Sequence, residues 1–152
     1  VAGKTKSLKW YGKAVNKKME AAQIEGVDRT MAASVVQAKA NHEWQNRTGI
    51  LEGGIDIVAY GRPEKGGVRG VWGVRDVVYA LIHEIGGIIR PKNAKALAIP
   101  DPDNPGGVLL VKSVTIPARP YLRPAADKEY LKLAGRIKKA FERKKKTPKQ
   151  GA

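Results

Sequence analysis

Residues 55–74, IDIVAYGRPEKGGVRGVWGV, decide the fold. Ile55, Ile57 and Ala59 alternate with Asp56, Val58 and Tyr60. That period of two is what a strand with one buried face requires. Val68, Val71, Trp72 and Val74 supply a second strand. Between them, Gly61 to Gly67 contains Arg62-Pro63-Glu64-Lys65-Gly66 and reads as a flexible turn. The pair is therefore expected to be a hairpin whose loop is longer than the tight two-residue kind. Few bulky side chains sit at the tip, so it is expected to be mobile or ordered only by a partner.

Upstream the period is helical. Leu8, Tyr11, Val15, Met19 and Ala22 recur at steps of three and four, which makes one apolar stripe. Gly26 interrupts it, and Met31, Val35, Ala38 and His42 resume it as far as Asn46. Asp28 is placed to cap a second stretch, so one helix bent at Gly26 and two shorter helices both fit. Downstream, Asp76 to Ile85 predicts a short helix capped by Asp76, with Tyr79, Ile82 and Ile85 inward and Gly86-Gly87 as its stop. Residues 88–107 carry Pro91, Pro100, Pro102 and Pro105 and read as loop, except for an apolar piece at Ala96–Ile99. The turn at 101–107 leads into strand-like Val108–Ile116. Pro117, Pro120 and Pro124 open a C-terminal helix starting near Pro120 or Pro124. Its stripe is Tyr130, Leu133 or Ala134, Ile137 and Phe141. The connections are too short for crossover helices, so the strands are antiparallel. The class is α+β: one small antiparallel sheet with a long hairpin, packed by N-terminal and C-terminal helices. Residues 1–142 are expected to form a single domain, and 143–152 a flexible basic tail.

Composition narrows the function. Among 152 residues there are 29 Lys+Arg and 14 Asp+Glu, for a formal charge of +15. Residues 1–18 hold six lysines and no acid; residues 128–152 hold ten basic residues against Glu129 and Glu142. The ends thus carry +6 and +8, and the body only +1. Such ends suit an acidic partner, nucleic acid or a neighbouring subunit. No apolar run approaches the roughly 20 residues of a membrane helix, and no secretory signal is expected. With no cysteine, disulfides, cysteine-ligated zinc and cysteine nucleophiles are excluded.

The chemical motifs are broken ones. His83-Glu84 begins a zinc-protease signature, but Gly87 stands where the second histidine belongs. The 61–70 stretch contains Lys65 without the phosphate-loop pattern. Ser7, Ser34 and Ser113 lack a nucleophile elbow, and Asp101 and Asp103 lie in a Pro/Gly turn. No constellation supports catalysis, so neither an enzyme, a metal nor a cofactor is expected. Lys4, Lys6, Lys9, Arg143, Lys144, Lys145 and Lys146 are the candidates for nucleic acid or an acidic partner. Aromatics are too sparse for a stacking platform, so such binding would be sequence-independent and steeply salt-dependent. A nucleic-acid-binding protein acting through its basic termini is the alternative reading.

Three stretches together resemble a known family. TGILEGGI (48–55) is similar to a "TGxLxxSI" element joining the first helix to the first strand. YALIHEIGG (79–87) is similar to "YAxxHEFGG", and PARPYLRPA (117–125) to "PARPFLRPA". The family is the neck or tail-completion group of tailed bacteriophages, also called head–tail joining or virion morphogenesis proteins. The resemblance covers residues 8–142, with Gly53-Gly54 and Ile85 departing from the pattern. It implies a non-enzymatic structural protein of the virion neck, made in the host cytoplasm. Its partners would be itself, in a commonly sixfold ring, the head connector or adaptor, the tail tube or tail terminator, and packaged DNA passing through the channel, with no membrane. Thr48, Gly49, Lys65, Gly66, Gly67, His83, Glu84, Arg119 and Arg123 are the candidate subunit-interface residues. Arg119 and Arg123, held between prolines, either pair with carboxylates such as Glu84 or cap local carbonyls.

Overall fold

The computed structural model describes residues 9–45 and 48–143. Its spine is α1 (Gly12–Ala40), a 29-residue helix about 43 Å long at 1.5 Å per residue. α1 runs through Gly26 without a break. Glycine there serves close packing: a Cβ on Gly26 would lie 2.4 Å from Ile137 Cγ1. Asp28 therefore caps nothing. It sits inside α1, where its Oδ1 accepts the Gly61 N–H at 2.6 Å and ties the helix to the hairpin. The helix ends at Ala40 rather than near Asn46.

A short α2 (Ile50–Gly54) leads into β1 (Ile55–Glu64), which pairs antiparallel with β2 (Gly67–Val74). Burial along β1 alternates from Ile55, as its period of two requires. The expected long loop is absent. The strands run to Glu64 and Gly67, and Lys65-Gly66 alone make the turn, with Gly66 at φ +90°. Two register irregularities, between Ile57 and Ala59 and between Ala59 and Arg62, absorb the glycine-rich sequence. Pro63 is tolerated because both strands of a two-stranded ladder are edges. On β2, Gly70 lets α1 approach: a Cβ there would stand 2.4 Å from Met31 Cε.

After the hairpin come α3 (Ala80–Ile85), β3 (Gly87–Ile89), β4 (Leu97–Pro100), β5 (Val108–Val111) and β6 (Val114–Ile116). α3 is shorter than expected. Asp76 has φ +55° and does not cap it, and Tyr79 and Ile85 are exposed rather than inward. β3 pairs with β6 and β4 with β5. Among the described residues the antiparallel content is thus three two-stranded ladders instead of one sheet, while the α+β class holds.

The C-terminal helix is two helices, α4 (Leu122–Tyr130) and α5 (Leu133–Glu142). At their joint Lys132 N–H bonds back three residues to the Glu129 carbonyl at 3.0 Å. α1 is flanked by the β1–β2 hairpin and by α4 and α5. The core is Val35, Ala38, Trp44, Leu51, Ile55, Tyr121 and Ala125. Four members of the expected stripes are exposed: Tyr11, Val15 and Met19 on the N-terminal part of α1, and Tyr130 at the α4–α5 joint. Leu8 lies outside the described residues.

One buried carboxylate had no expected role. Glu129 is 2% exposed and bonds Lys132 Nζ at 2.7 Å and the Arg136 guanidinium. Arg136 also donates to Thr30 Oγ1 at 3.0 Å, and Thr30 donates to the Gly26 carbonyl at 2.8 Å. The network closes the seam between α1 and the α4–α5 joint. The hydrogen bonds from Lys132 and Arg136 hold the Glu129 carboxyl below its ordinary 4.5.

Candidate functional site

The three quoted stretches, far apart in sequence, meet at one joint. Glu84 closes α3, and its carboxylate accepts three main-chain N–H groups at the start of α4. Oε2 takes Tyr121 N at 2.8 Å and Leu122 N at 3.0 Å, and Oε1 takes Arg123 N at 2.9 Å. The next residue is Pro124, which has no N–H to satisfy. One carboxylate thus satisfies the amides that the first turn of α4 leaves without helical partners, and it places negative charge at the positive end of the helix. Of the two expectations for Arg119 and Arg123, pairing with a carboxylate such as Glu84 or capping local carbonyls, no ion pair of either guanidinium forms among the described residues; Glu84 takes the Arg123 amide instead.

His83 and Arg119 lock the same joint from the other side: Arg119 N–H donates to the His83 carbonyl at 2.8 Å. Gly86 has φ +71°, and a Cβ on it would sit 2.7 Å from Ala118 N. The left-handed conformation and the close approach both demand glycine. Gly87 then pairs with Ile116. These contacts clamp the two ends of residues 87–116 together.

Between those ends lies an arm with no buried residue. Its β4–β5 hairpin exposes Val108, Leu109 and Leu110. The neighbouring α3 segment exposes Val78 (99%), Leu81 and Ile85.

A cleft opens beside the joint, lined by Trp44, Gln45, Thr48, Leu51, Tyr79, His83 and Arg119. It unites three of the interface candidates, Thr48, His83 and Arg119. Its wall is aromatic: His42 stacks on Trp44 at 3.8 Å, and Tyr121 meets Trp44 edge-on at 4.5 Å. Burial, with the nearby Glu84 charge, pushes the Tyr121 hydroxyl up to about 12. Trp44 Nε1 and His83 Nδ1 are buried and find no hydrogen-bond partner among the described residues. Gly49, at φ +71°, starts α2 at the edge of this region.

The remaining candidates lie elsewhere. Lys65, Gly66 and Gly67 form the β1–β2 tip and are exposed. Lys9 is exposed, 5.7 Å from the centre of the Tyr11 ring. Arg143 folds back onto Glu25 of α1. Lys4, Lys6, Lys144, Lys145 and Lys146 lie outside the described residues. Among the described residues no group of three metal-ligating side chains forms, and no helix is long and apolar enough to cross a membrane. Compared with models of protein families, with curated proteins and with solved structures, the chain matches none.

Proposed function

We propose that this chain is a structural, ring-forming component of a tailed-phage neck, joining the head connector to the tail around the genome channel. The observation that carries the reading is the Glu84 joint. It uses His83, Glu84 and the 119–123 backbone, from two of the three quoted stretches, to hold the base of a projecting arm. Glu84 already accepts three N–H groups, so it is not a free general base, although His83 and an arginine do share a cleft. An arm without a core, next to an exposed apolar helix face, fits a part that is completed by neighbours. Such surfaces on different sides of one subunit build rings when the rotation closes.

The test is electron microscopy of the purified chain, alone and mixed with connector and tail-tube proteins, with duplex DNA added at low and moderate salt. Rings that seat on connector or tube support the reading. A single chain that ignores both proteins but binds DNA with steep salt dependence favours the basic-termini alternative.

A further inference from the structure

The cleft beside the Glu84 joint is lined by donors and contains no acid. Arg119 and Thr48 line it together with His83 and Trp44. No described carboxylate forms an ion pair with Arg119. A half-enclosed cleft of this composition suits a carboxylate, because a guanidinium binds one with two parallel hydrogen bonds.

The chain also carries a matching group that it does not use on itself. The tip of the β4–β5 hairpin, residues 101–107, holds Asp101 and Asp103 and no basic residue. Asp101 Oδ1 is occupied by the Asp103 N–H at 3.0 Å, which leaves the exposed Asp103 side chain directed to no described partner. Neither aspartate lines its own chain's cleft. The flank of the same hairpin is apolar at Val108 and Leu110. The acidic tip therefore complements the cationic cleft in charge.

We propose that the occupant is a second copy of this chain: Asp103 at the arm tip of one subunit enters the Thr48–His83–Arg119 cleft of the next. The tip and the cleft are different surfaces, so the contact is heterologous and propagates around a ring. This rests on the ring-forming reading and names the contact that would build it.

Two charge reversals, Asp103→Arg and Arg119→Asp, test it. Each alone sets like charges against each other at every contact. Mixed in equal amounts they restore opposite charges at every contact of an alternating ring. Arg119 holds the joint through its backbone, so the fold should survive, and circular dichroism checks that it does. The readout is mass by analytical ultracentrifugation over a range of concentrations, at low salt. Expected are concentration-dependent association of the wild type, association weakened at least about tenfold in each single variant, and recovery in the mixture. Association of the wild type that both reversals leave unchanged overturns the contact but leaves the ring reading standing. A wild-type chain that never exceeds 16.5 kDa overturns both. Loss in the single variants without recovery in the mixture also overturns the pairing, since it shows the two residues acting separately.

Discussion

Replacing Glu84 by alanine removes the acceptor of three N–H groups at once, and the cost follows from where those groups lie. Arg123 N is exposed and exchanges its lost bond for one with water. Tyr121 N and Leu122 N are part-buried, and both share the same oxygen. Hydrogen bonds to a charged acceptor contribute about 1.5 kcal/mol each at the low end, and loss of a cap costs about 0.5–2 kcal/mol. Glu84→Ala should therefore destabilise the chain by about 2–3 kcal/mol, as judged from the two shielded donors. With a urea slope of about 2 kcal/mol per molar, the unfolding midpoint falls by about 1–1.5 M. Glu84→Gln keeps one acceptor oxygen and should cost about half as much. Arg123→Ala should cost less than about 0.5 kcal/mol, because the backbone makes the bond. Amide exchange should show protection lost at Tyr121 and Leu122 in the alanine variant. The reasoning fails if the Glu84→Ala midpoint stays within about 0.2 M of wild type, or if Arg123→Ala costs as much as Glu84→Ala.

Gly26→Ala should destabilise the chain even though alanine favours helix by about 1 kcal/mol, since the added methyl meets Ile137 Cγ1 at 2.4 Å and Ile137 backbone atoms at 3.1 and 3.2 Å; a higher thermal midpoint would show that α5 yields freely. In an ultraviolet titration, one of the five tyrosines, Tyr121, should ionise near 12 and the transition should vanish in Tyr121→Phe. A proton held more tightly in the folded state stabilises it fully below about 10, and that contribution is lost as pH rises from 10 towards 12. For Glu129 the sign is opposite: a lowered value gives stability that is present above about 4.5 and is lost as pH falls below it. Glu129→Gln should therefore flatten the fall in urea midpoint between pH 5 and pH 3, and an unchanged slope would contradict the role given to the network.

Much of this architecture can be read from local chemistry. Ile55, Ile57 and Ala59 announce their strand because alternation needs no distant partner to be visible. Gly86 marks the end of α3 because a left-handed residue is a local demand. What escaped reading depends on tertiary partners. Tyr11, Val15 and Tyr130 have helical spacing, but none of the described residues covers them. Gly61 and Pro63 look like loop, yet in a ladder made only of edges they extend a strand. Asp28 resembles a cap until Gly61 is seen to supply its donor. For Glu84, residue type suggested a guanidinium partner, where the geometry supplies the amides of Tyr121, Leu122 and Arg123. Glu129 is the clearest omission. A glutamate with lysines around it reads as surface, and only Arg136 and Thr30 reveal the buried network. The signal available was Glu129 with Lys132 and Arg136, three and seven residues on, along one helical side.

On the proposed ring-forming reading the arm serves assembly and not folding. The most direct test of this replaces residues 91–112 with an Asn-Gly turn, which closes β3 onto β6, and compares mass and urea midpoint with the full chain. No residue of the arm is buried, so the shortened chain should unfold at the wild-type midpoint yet remain a single chain where the wild type forms multi-subunit species. Assembly of the shortened chain at wild-type concentrations, or a wild type that stays a single chain throughout, would contradict the account.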